Sequence, residues 1–296
     1  MIAIMPSSRR DFLHALAASA VVAPFATRLG AQTTLALPVP GVLGLELYSV
    51  RQGLAKDVAA TLKTVRGLGF TEVEGGVFQG KTAAETRALL DAHGLRMQST
   101  LTGYDALAKD IGKVIADAKA LGATYVGTAW IPHQRPFGRA HVDKAAVDFA
   151  TWGKALRKAG LRFFYHVHGY EFQPSPDGTL MDTLIKQSPT DAVEFQADVF
   201  WVVRGGGNPV ALLKQYPGRF KLIHLKDIEK GVATNDPTGS APDETSVVLG
   251  TGQLDFPAIF QAAVASGVTH YYIEDEHPNA VAQIPKTLDY LRALKV

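Results

Sequence analysis

The sequence predicts an α/β protein folded as a (βα)8 TIM barrel over residues 42–296, and three observations carry that reading. A strand-like run that ends in polar residues, followed by an amphipathic helical stretch, recurs eight times along the chain. Glycines punctuate the helix ends, in Leu68-Gly69-Phe70, His93-Gly94-Leu95, Leu121-Gly122-Ala123, Ala159-Gly160-Leu161, Pro217-Gly218-Arg219 and Ser266-Gly267-Val268, where a residue of positive φ stops a helix. The first strand runs into Tyr48-Ser49-Val50-Arg51-Gln52-Gly53, not into the glycine-rich phosphate loop that an open doubly wound sheet places there. Eight such units in about 250 residues close into a barrel with right-handed crossovers.

In chain order, the first segment lies outside the barrel. Ser8-Arg9-Arg10-Asp11-Phe12-Leu13-His14 precedes a small, weakly apolar run from Ala15 to Ala26, and this resembles a twin-arginine export signal over residues 1–31. The resemblance implies export of a folded protein by the twin-arginine machinery to the periplasm or beyond. Pro24 and Arg28 break the run, which is too short to span a bilayer. A Pro-rich linker, residues 32–41, follows. The leader carries Arg9, Arg10 and Arg28 against Asp11, a net of +2, and the whole chain is also +2, so the remainder is near neutral. That balance lacks the clustered cationic surplus that nucleic-acid backbones require. No later segment is long and apolar enough for a membrane span.

The expected strands are Val42–Tyr48, Glu72–Gly75, Arg96–Leu101, Thr124–Trp130, Arg162–His168, Ala192–Asp198, Phe220–Lys226 and His270–Glu276. Between them lie helical patterns at Lys56–Leu68, Ala83–Ala92, Ala106–Leu121, Lys144–Ala159 and Pro257–Ser266, with Ala280–Leu294 closing the chain.

Barrel enzymes place their chemistry at the C-terminal ends of the strands. Strand one offers Glu46, Tyr48 and Arg51, strand two Glu72 and Glu74, strand three Thr100, and strand four Trp130 and His133. Strand five, Phe163-Phe164-Tyr165-His166-Val167-His168, puts two histidines on one face, with Glu171 three residues on. Strand six gives Glu194, Gln196, Asp198 and then Trp201, strand seven His224 and Lys226, and strand eight Glu274 and Glu276. Four consecutive strands thus bring His166, Asp198, His224 and Glu274 towards one mouth. The chain has no Cys, so a metal site here uses imidazole and carboxylate, a set that suits one divalent ion such as Mn, Zn, Co, Fe or Mg. Asp227 and Glu276 are candidate acceptors for the imidazole N–H groups.

These residues carry a resemblance. Tyr165-His166-Val167-His168-Gly169-Tyr170-Glu171-Phe172 is similar to the Tyr-His-Asn-His-Asp-Phe-Glu-Phe motif of the sugar phosphate isomerase/epimerase family, which belongs to the xylose-isomerase-like barrels. Ala197-Asp198-Val199-Phe200-Trp201, the strand through His224-Leu225-Lys226-Asp227 and the loop Leu249-Gly250-Thr251-Gly252-Gln253-Leu254-Asp255-Phe256 match further motifs in the same order. The resemblance implies a metal held from strands five to eight. Asp198, His224 and Glu274 match the ligands of its ketose epimerase branch, and a histidine, His166 or His168, stands where that branch has Glu.

The function expected is a metal-dependent isomerase or epimerase that removes a proton beside a sugar carbonyl and stabilises an enediolate. Glu274 and Glu171 are the candidate bases, His168 an acid or shuttle, and Lys226 a group to polarise the carbonyl. Tyr48 and Arg51 stand where substrate binds, and Trp130 and Trp201 are candidates to stack on a sugar face. Glu171, beyond Gly169, is expected to lean over the mouth. The same chemistry allows β-elimination from a keto-glycoside. The rivals are a metal-dependent hydrolase and a periplasmic carbohydrate-binding protein without catalysis.

Overall fold

A computed structural model describes Leu35, residues 37–176 and residues 178–296. The expected export signal lies outside the described residues, as does part of the linker. Eight parallel strands form a closed barrel: β1 Val42–Glu46, β2 Glu72–Gly75, β3 Arg96–Leu101, β4 Tyr125–Thr128, β5 Arg162–His166, β6 Val193–Asp198, β7 Phe220–Leu225 and β8 His270–Ile273. Each strand pairs with its sequence neighbours, and β8 closes on β1.

The helices that follow the strands are α1 Arg51–Lys56, α2 Val58–Gly67, α3 Ala83–Ala92, α4 Tyr104–Lys109, α5 Ile111–Leu121, α6 Arg139–Lys158, α7 Leu180–Gln187, α8 Val199–Arg204, α9 Pro209–Gln215, α10 Phe256–Ser266 and α11 Ala280–Ala293. Two stretches read as one helix or none differ here. The run from Ala106 to Leu121 is two helices, because Asp110 leaves helical φ/ψ and accepts from the Lys113 amide as the cap of α5. The helix after β4 begins at Arg139, five residues before the expected start.

Strands one, four, five, seven and eight stop one to three residues before the ends expected from the sequence. The polar residues there leave the ladder and turn to the mouth. At β5 the break is Gly169, whose φ of +91° and close approach to the Trp201 carbonyl suit only a residue without Cβ.

Strand alternation decides what fills the barrel. Phe164, Leu222 and Tyr272 pack with Tyr125 as an apolar plug inside it. Their rings fit because β1 and β4 put glycine opposite: a Cβ on Gly44 would lie 2.5 Å from the Tyr272 ring, and one on Gly127 2.3 Å from Phe164. Two residues further along the same faces come His166, His224 and Glu274, so the layer above the plug is polar. The register sets its neighbours, pairing Glu46 with Glu74, His166 with Gln196 and Asp198 with His224. Outside the barrel, one large apolar core joins the strands to the helices.

Candidate active site

The polar layer converges on Asp198. Its Oδ1 caps α8, accepting from the Phe200 and Trp201 amides at 2.9 and 3.1 Å. Its Oδ2 is buried without a hydrogen-bond partner, 3.9 Å from His166 Nε2 and 3.7 Å from His224 Nδ1. Glu274 Oε2 lies 3.1 Å from the same His224 nitrogen. A buried carboxylate oxygen left without a donor costs free energy unless a cation satisfies it. His166, Asp198 and His224 offer ligand atoms within 4.8 Å of one another and could hold one divalent ion, with the Glu274 carboxylate next to His224.

Two residues behind this set, not included among the expected site residues, decide how the imidazoles point. Gln196 Nε2 donates to both oxygens of Glu74 at 2.9 Å, and a carboxylate can only accept. The amide is thereby fixed with Oε1 towards His166, whose Nδ1 donates to it at 2.8 Å. Glu74 also takes the Nε2–H of His224. The relay His166–Gln196–Glu74–His224 thus leaves Nε2 of one ring and Nδ1 of the other facing Asp198 Oδ2. An outer carboxylate placed like Glu74 is the device that would orient both imidazoles towards an ion. Burial opposes charge on His224, but Glu74 and Glu274 on either side hold its protonation well above the ordinary imidazole range. Burial, with the neighbouring His224, pushes His166 down, so it is neutral. An ion at His224 Nδ1 would displace the proton there.

Asp227 and Glu276, the acceptors expected from the sequence, are engaged elsewhere. Asp227 accepts four backbone N–H bonds, from Ile228, Gly250, Gly252 and Leu254, and so folds the 249–255 loop. Glu276 pairs with Lys226 Nζ at 2.9 Å.

The mouth encloses a cleft of about 390 Å³ lined by Glu46, His168, Trp201, Glu274 and Glu276, with His166 and His224 at its floor. Its roof is Gly239-Ser240-Ala241, part of a segment after β7 whose ends meet where the Glu229 amide donates to the Thr245 carbonyl. His168 stacks on Trp201 with centroids 4.6 Å apart and meets Trp130 edge-on. Its buried Nδ1 has no partner, and burial keeps the ring neutral. Glu46, a third residue outside the expected set, accepts from the Tyr48 amide with Oε1 and leaves a buried Oε2 unpartnered. Burial, with the charges of Glu74 and Glu274, pushes its carboxyl well up. Burial would push Glu274 the same way, but Lys226 and His224 hold it well below the usual carboxylate range.

The remaining expected residues divide. Tyr48 stands half-exposed at the rim of the cleft, and Trp201 forms its wall. Trp130 is partly exposed and stacks on His133 rather than standing alone. Arg51 is spent inside the protein, on Asp243 and on the Glu276 carbonyl at 3.0 Å. Lys226 is buried beneath the rings of Phe200 and Trp201, 3.6 Å from Glu274 and 2.9 Å from Glu276, as the counter-charge of two carboxylates. Glu171 does not lean over the mouth. The turn Tyr170–Phe172 leaves it fully buried behind the end of β5, where it accepts from Tyr165 Oη and from the His168 amide at 3.0 Å. A larger depression, about 540 Å³, lies at the strand starts among Arg157, Arg162 and Glu194; that end of a barrel serves stability, and the chemistry belongs to the mouth.

A sequence profile of the xylose isomerase-like TIM barrel matches residues 62–294. An inosose dehydratase of Lacticaseibacillus casei is 25% identical over 138 residues, 44% of this chain and 45% of that protein, so the match spans under half of that relative's length. An inosose dehydratase of Geobacillus kaustophilus (strain HTA426) is 23% identical over 252 residues, 75% of this chain and 80% of that protein. Among solved structures, a sugar phosphate isomerase/epimerase from Parabacteroides distasonis ATCC 8503 superposes with a TM-score of 0.71 at 23% identity, covering 85% of this chain and 98% of that one. The IolI protein with a bound zinc atom gives 0.61 at 14% identity, covering 84% and 95%.

Proposed function

This chain belongs to the xylose isomerase-like TIM barrel family, and from that premise we propose that it is a carbohydrate-acting lyase that removes a proton beside a sugar ketone and expels the group on the next carbon. The observation that carries the proposal is the convergence of two oriented imidazoles and two carboxylates on the floor of a cleft that also holds a second, oppositely tuned carboxyl. His166, Asp198, His224 and Glu274 would hold a divalent ion, which when bound supplies Lewis acidity to a carbonyl oxygen. The zinc in the IolI structure supports this assignment, and the inosose dehydratase names favour elimination over reprotonation.

The residues divide the proton transfers. Glu274, kept ionised by Lys226, accepts the α-proton. The C–H electron pair becomes the new C=C bond as the C–O bond on the adjacent carbon breaks. Glu46, with its free Oε2, stands one position past the Leu45–Ile273 pairing, beside Glu274, and gives its proton to the departing oxygen. Two carboxyls tuned in opposite directions within one cleft mark the base and the acid. His168 offers Nδ1 to a substrate hydroxyl, and its stack on Trp201 continues an apolar wall for a sugar face. If the proton returns to the same carbon instead, the outcome is epimerisation.

Incubating the metal-loaded protein with inososes and keto-glycosides in D2O tests this by NMR. The expected result is an unsaturated ketone or its enol tautomer, with deuterium at the α-carbon of recovered substrate. Binding with neither product nor exchange would make the protein a carbohydrate-binding module. Cleavage without α-exchange, the cleaved sugar retaining its ketone and hydroxyl, would make it a hydrolase.

A further inference from the structure

Phosphate in a barrel of this kind is held by backbone N–H groups in the loops after strands seven and eight, or by helix N-termini and cationic side chains. Several of those devices stand around this mouth and are filled by the protein itself, although α11, after β8, has no side-chain cap. After β7 the amides of Gly250, Gly252 and Leu254 all turn to one centre, and the Asp227 carboxylate occupies it at 2.9, 2.9 and 3.2 Å. After β6 the first free amides of α8 go to Asp198. After β8 the Asp275 amide donates to Ser49 Oγ, His277 to Asp275 and Asn279 to His277 Nδ1, each at 2.9 Å.

Four cations around the mouth are committed in the same way. Lys226 serves Glu276 and Glu274, and Arg51 serves Asp243 and the Glu276 carbonyl. Arg204 holds Asp236 and the Ala233 carbonyl, and Arg135 the Thr238 carbonyl and Ser240 Oγ; both tie down the roof segment. Among the described residues that line the cleft there is no Lys or Arg, whereas Glu46, Glu274 and Glu276 are there. Carboxylates accept from sugar hydroxyls, and they repel a phosphate.

We propose that the cleft takes a carbohydrate that bears no phosphate or other anionic group, and that it rejects the phosphate esters of the sugars it accepts. The inference rests on the reading of the site as one for a keto sugar, and it parts company with the sugar phosphate in the name of the Parabacteroides structure. A phosphate entering this cleft gives up its water for a lining that, among the described residues, offers three carboxyl groups and no Lys or Arg, and an unpaired buried charge is costly.

The test uses the metal-loaded full chain and matched pairs: fructose with fructose 6-phosphate, xylulose with xylulose 5-phosphate, and an inosose with its phosphate ester. Solvent deuterium incorporation next to the ketone is followed for both members, with inorganic phosphate as a competitor. The expected result is exchange in a free sugar, exchange at least about 100-fold slower in its ester, and no competition by inorganic phosphate. An ester that exchanges as fast as its free partner, or faster, overturns the inference and leaves the α-proton chemistry standing. Exchange in neither member of any pair overturns the reading of the site, and the inference with it.

Discussion

Replacing Glu74 by Gln changes one buried oxygen for an NH2 group, and the relay predicts a consequence on the far side of the site. If the new amide keeps its oxygen on His224 Nε2–H, its NH2 faces Gln196 Nε2, donor against donor, where the native distances are 2.9 Å. The oxygen kept on His224 still accepts from Gln196 Nε2, but the donor clash at the other position is relieved when Gln196 flips, which turns its own NH2 towards His166 Nδ1, now 2.8 Å from an oxygen. His166 must then carry its proton on Nε2, the atom that faces Asp198 Oδ2, and the lone pair meant for an ion is lost. A residue two bonds removed from the ion should therefore weaken its binding by about 10–100-fold, or ~1.4–2.8 kcal/mol, the usual range for outer-shell partners of a metal-binding histidine. If no rearrangement restores the bonds, the unsatisfied groups instead cost about 1–3 kcal/mol of stability. Chelator-competition titration measures the affinity, and long-range 1H–15N correlation of the imidazoles reads the His166 tautomer in the ion-free protein. Wild-type affinity together with an unchanged His166 tautomer and melting temperature would refute the relay.

Three further outcomes are expected. Burial lifts the Glu171 carboxyl to about 7 from 4.5; because the folded state holds that proton more tightly, its contribution favours folding below pH 4.5 and is lost as the pH rises towards 7. At 1.36 kcal/mol per pH unit this is worth about 3 kcal/mol, so denaturant midpoints of Glu171→Gln should improve relative to wild type over that window, and a constant difference across it would contradict the assignment. Asp198→Ala should lose the ion in metal analysis while circular dichroism still shows the barrel, with about 1–2 kcal/mol lost from the missing cap of α8; full occupancy would remove Asp198 from the site. Arg9→Lys with Arg10→Lys should leave the protein in the cytoplasm on fractionation, and normal periplasmic accumulation would refute the proposed export signal.

Much of the barrel and its principal cluster was legible in the sequence because both follow from strand alternation. His166, Asp198, His224 and Glu274 are polar residues at the ends of consecutive strands, and period two puts His166, His224 and Glu274 above apolar residues of the plug and Asp198 above Gln196. Glu74 and Gln196 were visible as strand-end polar residues, but their partners were not. Glu74 meets His224 across the barrel interior from a strand 150 residues away in sequence, a contact that depends on closure and on register. The interior-facing period of β2 and β6 was the available signal. Glu171 was misplaced because the tight turn that follows Gly169 reverses the chain, and spacing alone gives no direction to a side chain beyond a strand's end. Lys226 has the right face and strand, but its two carboxylate partners come from the segment after β8. The roof segment between Glu229 and Thr245 has no hydrophobic periodicity, so the arginines that fasten it could not be matched to their carbonyls in advance.

Anomalous diffraction from crystals of the purified protein grown with zinc or manganese addresses the central claim most directly. The account predicts one strong peak per chain within bonding distance of His166 Nε2, Asp198 Oδ2, His224 Nδ1 and a Glu274 oxygen, with Gln196 and Glu74 still joining the two rings from behind. A peak held by His168 or Glu171, or fully loaded crystals with no peak beside Asp198, would contradict it.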